Sequence, residues 1–308
     1  MYTNFYNNLD NIKGTLNIRK NELMSAHTTF RIGGPADIFI KPTVAQIGPV
    51  IDECNKNNIP YTVIGNGSNL LVSDEGIEGV VIAITPDMAG QIDVFDDIVI
   101  AEAGAMLSSV ANAAATASLT GMEFASGIPG SVGGAVYMNA GAYGGEIKDI
   151  LTSATVLLPD GSVEKWNADR LEMGYRHSIL EDNGAICLSA EFKLNKSTET
   201  EVRETMARLR DMRVAKQPLN YPSAGSTFKR PQGYFAAALI EEAGLKGFSI
   251  GGAAVSDKHA GFVINTGGAT CKDVLNLMSA VTAKVKEHSG VTLLPEVKYI
   301  GKKMGVNV

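Results

Sequence analysis

The stretch ADIFIKPTVAQIGPVIDECNKNNIPYTVIGNGSNL, residues 36–70, decides the fold class of this 308-residue chain. Its outer segments, 36–40 and 61–64, are short apolar and β-branched runs that read as strands, while Val44, Ile47, Ile51 and Cys54 recur at helical spacing over 44–57. That is a β-α-β unit, and its second strand runs straight into a glycine-rich turn. Working outward, 80–84 and 98–101 continue as strands and 107–118 is an alanine-rich helix. Segments 153–158 and 162–166 form a hairpin closed by Pro159, Asp160 and Gly161, and 186–194 is a further strand. Residues 198–214 read as a charged helix with Val202, Met206 and Leu209 on one face, where a new unit begins. Inside it, 234–243 is a helix stopped by Gly244, and 261–264 is a strand. Thr270 caps a helix with Val274, Met278, Val281 and Val285 on one stripe, ended by Gly290. The last strand, 291–300, contains Pro295 and Glu296, and proline confines such a segment to an edge or an opening.

A chain of this length exceeds one ordinary core, so two or three packed subdomains are expected. With 45% hydrophobic and 19% charged residues the composition is globular, neither disordered nor fibrous. A net charge of −6 argues against general binding to nucleic acid or to an anionic membrane surface, though not against a local cationic pocket. Cys54, Cys187 and Cys271 are odd in number, widely spaced and free of CxxC or Cys/His ligand spacing, which points to reduced thiols rather than disulfides or a metal site. The opening residues MYTNFYNNLDNIKG lack the basic start and apolar core of a signal peptide, and no apolar run reaches membrane-spanning length. A soluble, cytoplasmic protein is expected.

Five segments could carry chemistry. In GNGSNL, 65–70, Gly65 and Gly67 remove Cβ atoms so that backbone N–H groups can converge on an anion such as a pyrophosphate. The loop lacks the third glycine of the dinucleotide fingerprint and the lysine of a Walker loop, and such a cluster alone is a tight turn more often than a ligand site. GIPGSVGGAVYMNAGAYGGE, 127–146, reads as a long, glycine-rich loop with few charges, and loops of that length in compact domains usually have a function. TTFRIGGPA, 28–36, offers hydroxyls, a cation and paired glycines, or simply a turn into the first strand. In GSTFKR, 225–230, Ser226 precedes two cations, and a serine acts as an acid only beside positive charge or a developing carbanion. GYRHS, 174–178, presents Arg176, whose planar guanidinium suits a carboxylate. No histidine stands in a hydrolase context.

In this order TTFRIGGPA, GNGSNLLVSD, GIPGSVGGAVYMNAGAYG, YRHS, PSAGSTFKRP and LLPEV make nearly the whole chain resemble the UDP-N-acetylenolpyruvoylglucosamine reductase family. The resemblance implies an α+β fold, with an FAD-binding domain of the vanillyl-alcohol oxidase (PCMH) type made of two subdomains and a C-terminal α+β substrate-binding domain. Mapped on this chain, the subdomains are 1–80 and 81–200, the substrate domain is 201–296, and the final segment 297–308 returns to the second subdomain. It implies non-covalent FAD, reduced by NADPH, then hydride transfer from flavin N5 to C3 of the enolpyruvyl group of UDP-N-acetylglucosamine enolpyruvate and protonation at C2. The product is UDP-N-acetylmuramate, for peptidoglycan.

By the same resemblance Ser226 is the proton donor, and Arg176 and Glu296 hold and polarise the substrate carboxylate. Cofactor contacts fall on Arg31, Gly65, Asn66, Gly67, Ser68, Asn69, Leu70, Gly127, Gly130, Ser131, Gly133, Gly134, Asn139, Gly141 and Arg213. Substrate contacts fall on Tyr175, Lys216, Lys229 and Arg230, and no metal is implied. The short spacing between Ser178 and Ser226 resembles the subtype without the extra substrate-covering loop. A monomer acting on small molecules, with no nucleic-acid or membrane partner, is expected. An FAD-dependent oxidase of the same fold, and a catalytically inert nucleotide-binding protein that kept the glycine loops, are the rival readings.

Overall fold

The computed structural model describes residues 3–9, 12, 14 and 16–303, so 304–308 of the expected closing segment lie outside the described residues. The chain divides into two compact units. One comprises Met1–Arg19, Phe39–Asn66 and Val80–Arg213; the other Lys20–Ile38, Gly67–Gly79 and Val214–Val308. This partition is discontinuous in sequence, unlike the contiguous subdomains expected above. The reason is visible in the second unit: strand Leu70–Val72 runs parallel to Lys298–Ile300, with Leu71 opposite Tyr299. The Asp74 carboxylate accepts from the amides of Cys271 and Lys272 at 2.7 and 3.1 Å. Both interactions tie residues 67–79 to the end of the chain. The closing strand therefore returns to a partner within 1–80, and not to 81–200.

The expected β-α-β unit forms as strand Pro35–Lys41, helix Val44–Lys56 and strand Tyr61–Ile64. A capping box between Thr43 and Gln46 starts the helix, and Ile47, Val50, Ile51 and Cys54 are its buried stripe. Strand Ile77–Ala83 runs parallel to Tyr61–Ile64, with Tyr61 opposite Val80. Downstream in the same unit lies an antiparallel sheet ordered Val163–Asn167, Leu151–Leu157, Ile186–Lys193, Ile98–Glu102, Ile92–Phe95. Its hairpin turns at Pro159–Gly161 as the sequence predicts, with the Leu158 amide on the Ser162 carbonyl at 2.8 Å.

The glycine-rich segment departs from expectation. It is not a loop throughout: a 3-10 turn spans Glu123–Gly127, a helix Val132–Tyr137, and a small hairpin pairs Gly141–Ala142 with Gly145–Glu146. A Cβ on Gly133 would come within 2.9 Å of Ala103 Cβ, so this glycine serves close packing of helix on strand rather than mobility. Helix Glu199–Lys216 also differs, because Val202 is its one buried residue and Met206 and Leu209 are only half-buried. Charged pairs such as Arg203 with Glu199, at 2.7 Å, decorate it instead of an apolar face.

In the second unit three short antiparallel strands, Ser249–Ile250, Ala253–Val255 and Val263–Asn265, pack with helices Ala236–Glu242 and Cys271–Ser289. The longer helix buries Val274, Leu277, Met278, Val281 and Val285, each side chain contributing about 1.5–3 kcal/mol of apolar burial. Its capping box joins Thr270 and Asp273, and Gly290 ends it at φ +75°. Of the expected strand 291–300 only Lys298–Ile300 forms, since Pro295 has no N–H to donate and makes just an isolated bridge with Phe228.

Candidate functional site

In the first unit, strand Tyr61–Ile64 delivers Gly65 and Asn66 to the segment around Ser131. The Asn66 amide nitrogen donates to the Pro129 carbonyl at 2.6 Å. A Cβ on Gly65 would overlap the Ser131 hydroxyl oxygen, which is fully buried and has no hydrogen-bond partner. Gly130, Val132 and Gly133 are fixed by backbone bonds to the 103–107 segment: Leu107 N to Gly130 O at 3.0 Å, Val132 N to Ala105 O at 2.9 Å and Gly133 N to Ala103 O at 2.8 Å. A Cβ on Gly134 would sit 3.6 Å from the Ser131 oxygen, an ordinary contact. The arrangement is a cradle walled by backbone, with one orphaned hydroxyl inside it, and a buried polar atom without a partner in a native protein calls for a ligand or water.

Arg213, in the last turn of helix Glu199–Lys216, donates through Nη1 to the Gly127 carbonyl. Burial lowers its guanidinium pKa, opposed by the nearby Tyr143. Tyr143 occupies the tip of the small hairpin at φ +53°, a residue the sequence reading passed over. Its neighbour Gly144, at φ +92°, was the available signal, because such a two-residue turn requires positive φ at both central positions.

Arg176 sits at φ +53° in a tight turn closed by the Gly174 amide on the His177 carbonyl at 3.0 Å. Its Nη2 donates to Gly141 O at 2.9 Å and its Nη1 to Asn139 O at 3.5 Å, and the guanidinium lies 5.0 Å from the centre of the Tyr175 ring. Asn139 is fully buried, and its side chain serves this turn: it donates to Gly174 O at 2.8 Å and to Glu146 Oε2 at 2.9 Å, and accepts from the Lys148 amide at 3.0 Å. Both N–H groups and the carbonyl of its amide are engaged by protein. Burial opposes ionisation of Glu146, but bonds from Lys148 and Asn139 outweigh it and hold the carboxyl below its ordinary range.

In the second unit Ser226 is exposed, preceded by Gly225 at φ +77° and followed by the buried Thr227. Thr227 is held on three sides: its amide donates to Gly261 O at 2.9 Å, its carbonyl accepts from Glu296 N at 2.8 Å, and its hydroxyl accepts from Val263 N at 2.9 Å. Lys229 N donates to Leu294 O at 2.8 Å. The GSTFKR and LLPEV segments therefore lie side by side, which brings Ser226 and Glu296 onto neighbouring strands of chain. Asn69 joins them, donating to Glu296 O at 3.1 Å and accepting from Lys298 N at 2.9 Å, while Leu70 lies opposite Lys298. The Gly67 carbonyl accepts from Thr29 N at 3.3 Å and the Ser68 carbonyl from the Thr29 hydroxyl at 3.5 Å. Arg31 is exposed at φ +55°. Arg230 stacks 4.7 Å from the centre of the Phe235 ring, and Lys216 is exposed. Among the described residues no group of three or more His, Cys, Asp or Glu is set to hold a metal, and no helix is long and apolar enough to cross a membrane.

Residues 217–300 match the family model described as UDP-N-acetylenolpyruvoylglucosamine reductase, C-terminal domain, and residues 36–167 match the FAD binding domain. The chain is 54% identical over 298 residues to the UDP-N-acetylenolpyruvoylglucosamine reductase of Agathobacter rectalis, covering 93% of this chain and 95% of that one. It is 52% identical to the enzyme of that name from Clostridium botulinum, covering 98% of each. The crystal structure of the reductase from Thermus caldophilus is similar at a TM-score of 0.78 and 35% identity, covering 92% of this chain and 99% of that one.

Proposed function

The chain belongs to the UDP-N-acetylenolpyruvoylglucosamine reductase family, and on that premise we propose that Ser226, Arg176 and Glu296 are its catalytic residues. The protein is an FAD-dependent oxidoreductase that uses NADPH to reduce the enolpyruvyl ether of UDP-N-acetylglucosamine enolpyruvate to the lactyl ether of UDP-N-acetylmuramate. Its fold is α+β, an FAD-binding domain of the vanillyl-alcohol oxidase (PCMH) type joined to a C-terminal α+β domain.

When bound, FAD supplies the hydride for C3 of the enolpyruvyl group, having taken it from NADPH. The residues fit the cofactor: the orphaned, buried Ser131 hydroxyl beside Gly65 offers it a polar contact. Gly65, Asn66, Gly67, Ser68, Asn69, Leu70, Gly127, Gly130, Gly133, Gly134 and Gly141 are proposed to line its path, with Arg31 and Arg213 as its cations. We keep 1–80 and 81–200 as the proposed cofactor subdomains and 201–296 as the substrate domain.

Arg176 is proposed to grip the substrate carboxylate. Charge that develops at C2 delocalises into that carboxylate, so a fixed guanidinium stabilises the transition state more than the ground state. Ser226 delivers the proton to C2. Glu296 orients the carboxylate from the neighbouring segment. Tyr175, Lys216, Lys229 and Arg230 hold the diphosphate and sugar. The observation that carries this reading is the Thr227–Glu296 backbone bond of 2.8 Å, which joins the two motifs supplying the acid and the carboxyl group.

The test is Ser226→Ala in the two half-reactions. Flavin reduction by NADPH should stay near the wild-type rate, while reoxidation by the enolpyruvyl nucleotide slows by a factor on the order of 10²–10⁴. Equal losses in both would remove Ser226 as the proton donor. We place the reaction in cytoplasmic supply of peptidoglycan precursor, hence in wall synthesis, cell shape and division, with the protein acting as a monomer. Light scattering should give the mass of one chain, and a dimer mass would refute the last point.

A further inference from the structure

The Asn139 side chain ties the turn that presents Arg176 to the 146–148 segment. The amide nitrogen bridges Gly174 O, at 2.8 Å, and Glu146 Oε2, at 2.9 Å, while the amide oxygen takes the Lys148 N–H at 3.0 Å. The backbone carbonyl of the same residue, together with that of Gly141, receives the Arg176 guanidinium at 3.5 and 2.9 Å. The far end of the turn is tied separately, by Ser178 Oγ donating to Tyr137 O at 2.7 Å. Both Asn139, at φ +44°, and Arg176, at φ +53°, are left-handed. Asparagine tolerates that conformation, but for arginine it costs about 1–3 kcal/mol and persists only where the surroundings impose it. Cutting the Asn139 amide would release one end of the turn, leaving the half-buried Gly174 carbonyl without this donor and the half-buried Glu146 carboxylate with Lys148 as a partner at 3.0 Å.

We infer that Asn139 is the positioning residue for Arg176, setting the guanidinium for the substrate carboxylate. This rests on the proposed role of Arg176. It predicts a defect confined to ligands that carry that carboxylate, which neither a cofactor ligand nor a general packing residue would produce.

The experiment titrates the oxidised, FAD-loaded protein with UDP-N-acetylmuramate, which carries the lactyl carboxylate, and with UDP-N-acetylglucosamine, which does not. Asn139→Ala should weaken the first roughly ten-fold and the second by less than about two-fold, ten-fold being about 1.4 kcal/mol. Asn139→Asp keeps the side-chain shape and the acceptor for Lys148, loses the N–H donors to Gly174 O and Glu146, and should show the same selectivity. In Asn139→Ala/Arg176→Ala the loss should not exceed that of Arg176→Ala alone, because the two act as one unit. If Arg176→Ala itself leaves the preference for the carboxylate ligand intact, the reading of Arg176 falls and this inference with it. If Arg176→Ala removes the preference while both Asn139 variants keep it, or lose both ligands equally, the inference alone is overturned.

Discussion

The amide of Glu296 donates to the carbonyl of Thr227 at 2.8 Å, so the residue next to Ser226 is joined directly to the residue that bears the candidate carboxyl group. Thr227 is itself only 1% exposed and is held again by the amide of Val263 at 2.9 Å. A serine that must meet one carbon of a bound substrate gains from such a mounting, because a small displacement of a catalytic group costs large factors in rate.

Gly225 gives that mounting its bend. It stands at φ +77° with nothing within 4 Å of where a Cβ would go, so Gly225→Ala is a purely conformational change. It should lower stability by about 1–2 kcal/mol in urea unfolding and slow substrate-driven reoxidation while FAD content is unchanged. Wild-type rates in this variant would show that Ser226 does not depend on the turn.

The flavin reading makes Gly65 a steric requirement. Gly65→Ala forces a methyl onto the Ser131 hydroxyl and should reduce FAD affinity at least ten-fold, about 1.4 kcal/mol, with circular dichroism unchanged. Removing that hydroxyl in Gly65→Ala/Ser131→Ala should recover part of the loss. Undiminished FAD binding by Gly65→Ala would take this turn out of the cofactor site.

Arg176→Ala and Glu296→Gln should each impair the substrate half-reaction selectively, by a factor on the order of 10² or more, and leave reduction by NADPH within a few-fold. Rapid-mixing rates at wild-type level in either variant would remove that residue from the reacting end of the substrate.

Much of this was legible in the sequence because the elements concerned are local. The helix Val44–Lys56 announces itself by its apolar period, and Thr270 and Gly290 bracket the helix Cys271–Ser289. What escaped is what distant segments decide. Val132–Tyr137 is helical although glycine-rich, because Gly133 lets it approach Ala103 closely. The closing strand chose Leu70–Val72 as its partner, a pairing that no local pattern encodes. At the site, the motifs pointed to the proposed acid and the proposed cation, whereas the use of Asn139 depended on a turn 35 residues further along the chain.

The three cysteines set a pH dependence. Burial pushes the thiols of Cys54, Cys187 and Cys271 up to about 12, from 9.0. A raised thiol pKa means that the folded protein keeps protons the unfolded chain has lost, so stability is full below pH 9 and falls between about 9 and about 12. Iodoacetamide at pH 8 should accordingly label the native protein far more slowly than the urea-unfolded chain. Rapid native labelling of all three would contradict their burial.

The most direct test of the whole account is an anaerobic single turnover. Purified wild-type protein, loaded with FAD and bleached by one equivalent of NADPH, is mixed with UDP-N-acetylglucosamine enolpyruvate while the flavin absorbance is followed and the product is identified. The account predicts that the oxidised flavin spectrum returns with one equivalent of UDP-N-acetylmuramate formed. A flavin that stays reduced until oxygen is admitted would contradict it and point to an oxidase.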